Sequence, residues 1–336
     1  MIMKNLLIII SITVLFASCE RAFFENVPEN TPKSIFEQTW NFANEEYSFF
    51  RFKGIDWDSV YTVYEPKISD EMSDEALFDT LSNMLYLLRD GHVNLKSDFN
   101  RSRNWTWYLN HADNFDKYVL ERNYFKEEQQ FVGSFVVFDF GDVGYIQYSS
   151  FTNFVSSSDL DYVIEKFKDH KGLIIDIRDN FGGSLSNVNQ IGARFIDTTT
   201  VVAFTRTKNG PGRDDLSEFE DFKFTYDESE THFTKPIVVL TNRKSYSAGN
   251  YFPTCMSALP NVTIMGDVTG GGGGAPSFIE LTNGWLLRVS TTQLFTIDGV
   301  NTEDGLKPDI LINDTDYELN SGTDRILEEA LKLIRN

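Results

Sequence analysis

Residues 236–252 read PIVVLTNRKSYSAGNYF. The run Ile237-Val238-Val239-Leu240 is apolar and long enough for one buried strand. Thr241 to Lys244 is a polar turn, and Ser245-Tyr246-Ser247-Ala248-Gly249 leads into a segment that reads as helix. A serine at a strand-to-helix turn has its hydroxyl held on a fixed backbone. The free amides at the helix start lie beside it and can hold a developing oxyanion, as acyl transfer requires. The same position is also a favoured helix N-cap, so Ser247 reads either as a nucleophile or as a cap.

Upstream the pattern repeats. Leu173-Ile174-Ile175-Asp176-Ile177 is a second buried strand, followed by Arg178-Asp179-Asn180-Phe181-Gly182-Gly183 and a helical stretch over 184–195. Two glycines after a strand let a backbone amide approach a reacting group. Strand, turn and helix, given twice, imply parallel crossovers and an α/β fold. Phe135–Phe140 and Val143–Tyr148 flank Gly141-Asp142 as a hairpin, and Leu160–Phe167 reads as helix. Val262–Met265 is a short strand, and Asn283-Gly284 turns a hairpin between Phe278–Leu281 and Trp285–Val289. Arg325–Ile334 closes the chain as a helix. Residues 205–233 are charged and irregular and read as surface loops, and 95–130 carry no clear period.

Toward the N-terminus, Thr31-Pro32 is a helix start, with Ser34 and Glu37 as an alternative capping box. Phe36, Trp40, Ala43, Tyr47 and Phe50 fall on one helical face, and Gly54 ends the pattern. A short helix over Trp57–Tyr64 and a third capped by Ser73 complete a small bundle. The third runs into Arg89-Asp90-Gly91-His92, where Gly91 suits a helix C-terminal turn.

The 336-residue chain is 41% hydrophobic, with 29 Phe, and supports a sizeable core. Its first residues do not belong to that core. Lys4 precedes an 11-residue, mostly apolar run, Leu6–Phe16. That run is too short for a span of ~20 residues but suits a signal peptide. Ala17-Ser18-Cys19 then resembles the bacterial lipoprotein signal, with residues 1–18 removed and Cys19 lipidated; the alternative is an ordinary secretory signal. Residues 19–30 read as a tether. The only other cysteine, Cys255, reads as a small buried apolar residue.

A net charge of −20 repels nucleic acid and anionic lipid, so membrane attachment would come through the lipid alone. The four histidines, His92, His111, His170 and His232, have no metal-ligand spacing, and no metal is expected. Gly270–Gly274 is followed by Ala275-Pro276 and lacks the Lys and Ser/Thr of a phosphate loop, so no nucleotide or other cofactor is expected.

Four separated segments together carry a resemblance. They are Asp90-Gly91-His92, Asp176 to Gly183, Ser245 to Gly249, and Gly305-Leu306-Lys307-Pro308-Asp309-Ile310. They resemble the serine peptidases that include the C-terminal processing peptidases, the tricorn core protease and the repeats of interphotoreceptor retinoid-binding protein. The resemblance covers most of 31–336. It implies a Clp protease/crotonase-like α/β core of crossed β-sheets and helices over 95–336, a helical subdomain over 31–94, and a peptide or protein substrate. It also implies Ser247 as nucleophile, with the amides of Ala248 and of Gly182 or Gly183 as oxyanion hole. One branch uses a lysine base, and here Gly272 stands where that lysine would be. The chain is therefore similar to the tricorn branch, with His92 as base and Glu303 as the residue that orients it.

Two features depart from that branch. Gly91 replaces the serine before the histidine, and Glu303 sits one residue closer to Gly305 than the pattern has it. Asp90 and Asp304 are close in sequence as alternative acids. Too few residues separate His92 from Ile175 for a PDZ domain. Two further readings stay open beside an exported, lipid-anchored serine endopeptidase of the bacterial cell envelope: a binding module on the same fold, and an inactive scaffold.

Overall fold

The computed structural model describes residues 28–313 and 316–336. The signal segment 1–18, Cys19 and the tether up to residue 27 lie outside the described residues. Among those described, no helix is long and apolar enough to cross a membrane.

A seven-stranded mixed sheet forms the centre. Its order is Ile310–Leu311, Val262–Gly266, Ile237–Thr241, Gly172–Asp176, Val143–Gln147, Phe135–Asp139 and Gln130–Val132. Val143–Gln147, Gly172–Asp176, Ile237–Thr241 and Val262–Gly266 run parallel, with Ile175 opposite Val239 and Val239 opposite Ile264. Alternation sends neighbouring residues to opposite faces. Ile175 and Val239 pack with the helices Ser157–Phe167, Leu185–Gly192 and Ala248–Met256, whereas Ile174, Val238 and Leu240 pack under Arg325–Arg335. Coverage of both faces is why these strands read as unbroken apolar runs.

The N-terminal helices start where their caps lie. Thr31 Oγ1 accepts from the Ser34 amide, Asp56 from Ser59 and Ser73 from Ala76, opening helices at Pro32–Glu46, Trp57–Tyr64 and Asp74–Tyr86. Their apolar faces bury Phe36, Trp57, Phe78 and Leu81 against Leu281, Trp285, Leu287 and Val289. Those four lie on or beside the hairpin Pro276–Glu280/Leu286–Ser290, whose second strand also pairs with Asn94–Lys96. The helical segment is thereby fastened to a hairpin some 200 residues later in the chain.

Two readings change. Residues 205–233 are not simply loops: Thr200–Thr207 pairs antiparallel with Glu220–Phe224 and with Thr292–Phe295 in a third sheet. Gly91 does not make the helix C-terminal turn, because Arg89 adopts the positive φ of 45°. Gly91 is needed there for another reason, given below.

Candidate active site

The turn after Ile237–Thr241 is held from several sides. Ser245 Oγ donates to the Ile177 carbonyl (2.9 Å), and the Tyr246 amide donates to the Asn180 carbonyl (3.0 Å). The Ser247 and Gly270 amides donate to Gly271 and Ser245 carbonyls, 2.9 Å each, so the glycine run clamps the turn from outside. These bonds force Ser247 to φ 58°, ψ −121°, a conformation that costs a non-glycine residue ~1–3 kcal/mol. Ser247 stands at the start of Ala248–Met256 but makes no side-chain cap bond, so its hydroxyl is not spent as an N-cap. Pro253 lies beyond the first turn of this helix, opposite Gly249 four residues earlier.

His92 reaches this turn from the segment between the helix Asp74–Tyr86 and the strand Asn94–Lys96. Asp90 Oδ1 accepts the His92 backbone N–H (2.7 Å), and Trp105 Nε1 donates to the Gly91 carbonyl (3.1 Å). His92 Nε2 lies 2.9 Å from Ser247 Oγ. Burial pulls the imidazole down to about 4, with Asp90 opposing the fall and Arg288 adding to it. The ring is therefore neutral at neutral pH and able to accept the serine proton. The Gly274 carbonyl faces the ring closely enough to favour its protonated form, while buried Nδ1 makes no hydrogen bond of good geometry.

Gly91 has a steric explanation. A Cβ there would come 2.6 Å from the Tyr246 hydroxyl and 3.1 Å from Trp105. Tyr246 stacks on Tyr108 at 4.5 Å and lies 5.0 Å from the His92 ring. The space that a serine at 91 would need is filled by the tyrosine beside the nucleophile.

Glu303 is fully buried, but its hydrogen-bonded partner is Lys53, at 2.7 Å; no bond to His92 is found among the described residues. Lys53 also donates to the Arg89 carbonyl (2.9 Å). Burial pushes the Glu303 carboxyl up to about 8, with Lys53 opposing the rise. Burial pulls the Lys53 ammonium down, but Glu303 and Asp90 more than offset this and leave it raised. Glu303 is held in register by Asn250, whose Nδ2 donates to the Thr302 carbonyl (3.1 Å). Lys53 carried no motif signal in the sequence. Asp90, 0% exposed, is the carboxylate whose charge favours the protonated His92 ring.

The glycine turn lies against the nucleophile, and a Cβ on Gly182 would sit 2.7 Å from Ser247 Cβ. Arg178 fixes this turn from beneath. It is buried between Asp176 (2.6 Å) and Asp324 (2.8 Å), and Asp324 also caps the last helix. The Gly182 amide donates to Asn180 Oδ1 (2.9 Å). No such bond occupies the amides of Gly183 and Ala248 among those described. A cleft of about 630 Å³ opens over Ser247 and His92, walled by Trp105, Tyr108, Phe181 and Pro276.

Comparison with known proteins places this arrangement. The model of peptidase family S41 matches residues 142–312, and that of the tricorn protease C1 domain matches 28–86. The crystal structure of a Parabacteroides merdae protein assigned as a peptidase superimposes with a TM-score of 0.86 at 38% identity, covering 91% of this chain and 97% of that one. A carboxy-terminal-processing protease of Bartonella bacilliformis is 29% identical over 197 residues, 56% of this chain and 43% of its own length. The chain spans under half the length of the curated relatives it matches. The tricorn protease shares the fold, with a TM-score of 0.54 at 14% identity over 91% of this chain and 37% of its own. The core is the Clp protease-like α/β arrangement expected from the sequence.

Proposed function

The chain belongs to peptidase family S41, and we propose that it hydrolyses peptide bonds through an acyl-enzyme on Ser247, with His92 as general base. One observation carries this reading: the 2.9 Å contact between His92 Nε2 and Ser247 Oγ, across 155 residues of sequence. Neutral His92 takes the serine proton as Oγ attacks the peptide carbonyl. The amides of Ala248 and Gly183 receive the oxyanion, with Gly182 shaping the turn that aims them. The imidazolium protonates the leaving amine, and water then enters by the reverse sequence. Asp90 stabilises the imidazolium. Glu303 acts at one remove, by holding Lys53 beside the same buried charges.

We further propose residues 31–94 as a helical subdomain and 95–336 as the peptidase core. Export as a lipoprotein rests on the sequence of residues 1–19, with Cys19 as the anchored residue. The test of the catalytic reading is turnover of a peptide library by the wild type and by Ser247→Ala. Loss on the order of 10⁴-fold or more is expected. A variant with residual turnover near the wild type would refute the nucleophile assignment.

A further inference from the structure

Lys53 is a buried cation that the proposed chemistry does not use. It ends the short helix Phe50–Lys53, and Gly54, in the left-handed region, turns the main chain away behind it. Its Nζ lies 5.9 Å from the centre of the Tyr47 ring and 5.5 Å from that of Phe49. A lysine is almost never buried to this degree unless its ammonium is spent on partners.

Those partners lead to the catalytic pair. Residues 87–92 carry the chain from the helix Asp74–Tyr86 to His92, and Arg89 among them takes a φ of 45°. Such a conformation strains a non-glycine residue and persists only where its surroundings over-determine it. Here two successive carbonyls are held from one segment. The Tyr47 hydroxyl donates to Leu88 (3.2 Å), and Lys53 Nζ donates to Arg89 (2.9 Å). Arg89 returns the contact, its Nη2 donating to the Lys53 carbonyl (3.4 Å). The Arg89 carbonyl belongs to the peptide that begins Asp90, and Asp90 Oδ1 accepts the His92 amide (2.7 Å). On its other side the ammonium meets Glu303 at 2.7 Å, and Asn250 of the nucleophile's helix holds the neighbouring Thr302 carbonyl (3.1 Å). Lys53 thus ties the turn that carries the base to the helix that follows the nucleophile.

We propose that Lys53 is a positioning residue for His92: by holding the Arg89 carbonyl against the core, it fixes the Arg89–Asp90 turn and with it the reach of the imidazole to Ser247. The proposal deepens the peptidase reading and rests on His92 being its base. A misplacement of about 1 Å can cost on the order of a hundredfold in rate, so relaxation of one strained turn is enough to register in kcat. Lys53 also acts on the ring by charge. Burial does most to keep His92 neutral, Asp90 opposes it, and Arg288 and Lys53 add to it.

The experiment measures peptide turnover and the rate of Ser247 labelling by a fluorophosphonate, each per folded molecule. Lys53→Met should lower kcat about tenfold or more, with KM within about twofold. Glu303→Gln keeps the bond from Lys53 to the Arg89 carbonyl and should lose less. Arg89→Gly, added to Lys53→Met, should restore part of kcat, because glycine takes a positive φ without strain. The charged and titratable groups facing the His92 ring are Asp90, Arg288, Lys53 and Tyr246. With one positive charge removed from that set, the acid limb of kcat/KM should move up from about 4 in Lys53→Met. If Lys53→Met fails to fold, the double variant Lys53→Met/Glu303→Gln strands neither group. Its kcat should then stand about tenfold or more below that of Glu303→Gln alone. A lowered melting temperature with kcat and the acid limb unchanged would reduce Lys53 to packing and overturn the proposal. A Glu303→Gln loss as large as that of Lys53→Met would overturn it too. If the wild type labels on Ser247 but cleaves no peptide, while Lys53→Met still slows labelling, the positioning role stands and the peptidase reading falls instead.

Discussion

The Lys53–Glu303 pair gives a prediction whose size follows from the structure. The two side chains are 2% and 0% exposed and meet at 2.7 Å. At that distance, with an effective dielectric of ~20, the attraction of the two charged forms is on the order of 6 kcal/mol, much of it offset by desolvation. Removing one partner strands the other, which costs ~3–5 kcal/mol for a buried pair. Glu303→Gln removes the carboxylate that the Lys53 ammonium meets at 2.7 Å and leaves its bond to the Arg89 carbonyl. Lys53→Met leaves a carboxyl that burial already pushes upward, so it escapes by taking a proton. The carboxyl stands at about 8 beside Lys53 and higher without it, so the Lys53→Met penalty should grow as pH rises through 8 and stay level between pH 7 and pH 5, while that of Glu303→Gln should not grow above pH 8. Urea unfolding followed by tryptophan fluorescence should show the double variant less destabilised than the sum of the singles by ~2–3 kcal/mol at pH 9, where both groups are charged. Additivity within ~0.5 kcal/mol would refute the claim that Glu303 is spent on Lys53. In the same variants, kcat should respond more to Asp90→Asn than to Glu303→Gln.

Three further outcomes are expected. Since burial holds His92 at about 4, kcat/KM per folded molecule should persist at pH 5.5, where an ordinary histidine would be about 90% protonated; a limb centred near 6.5 would contradict that burial. The sign for stability is the same: His92 is depressed in the folded state, so between ~6.5 and 4 the unfolded chain binds more protons, and the contribution of this group falls as pH drops through that window. Gly91→Ala should lower the melting temperature and the activity together, because its Cβ meets the Tyr246 hydroxyl at 2.6 Å, and wild-type values in both assays would show that Tyr246 can step aside. Cys19→Ala should release the protein from the membrane fraction, and a variant retained through a high-salt wash would exclude the lipid anchor.

How much of this could be read beforehand depended on how local each feature is. The strand at Ile237–Thr241, the turn and the helix after Ser247 are continuous in sequence, and each carries its own signal of apolar run, polar break and small residues. The same holds for the hairpin around Gly141-Asp142 and for the caps at Thr31 and Ser73. Glu220–Phe224 is obscured because its outward residues are charged, and the end of Thr200–Thr207 runs into a long polar connection, so composition imitates a loop. Lys53 lies 250 residues from Glu303, and Tyr246 fills the space beside Gly91 from a turn distant in sequence. No spacing rule links such pairs, which exist only once the helical segment docks on the late hairpin. His92 and Ser247 were connected through a family resemblance, and the glycine at 91 looked like a helix stop until the tyrosine beside it supplied the steric reason.

The central claim is that Ser247 is a nucleophile activated by His92. The most direct measurement is reaction of the intact protein with a fluorophosphonate, followed by mass mapping of the adduct and comparison of the labelling rate with that of His92→Ala. The account predicts a single adduct on Ser247 and a rate lowered at least a hundredfold in the His92 variant. An adduct on another residue, no adduct at all, or an unchanged rate without His92 would contradict it.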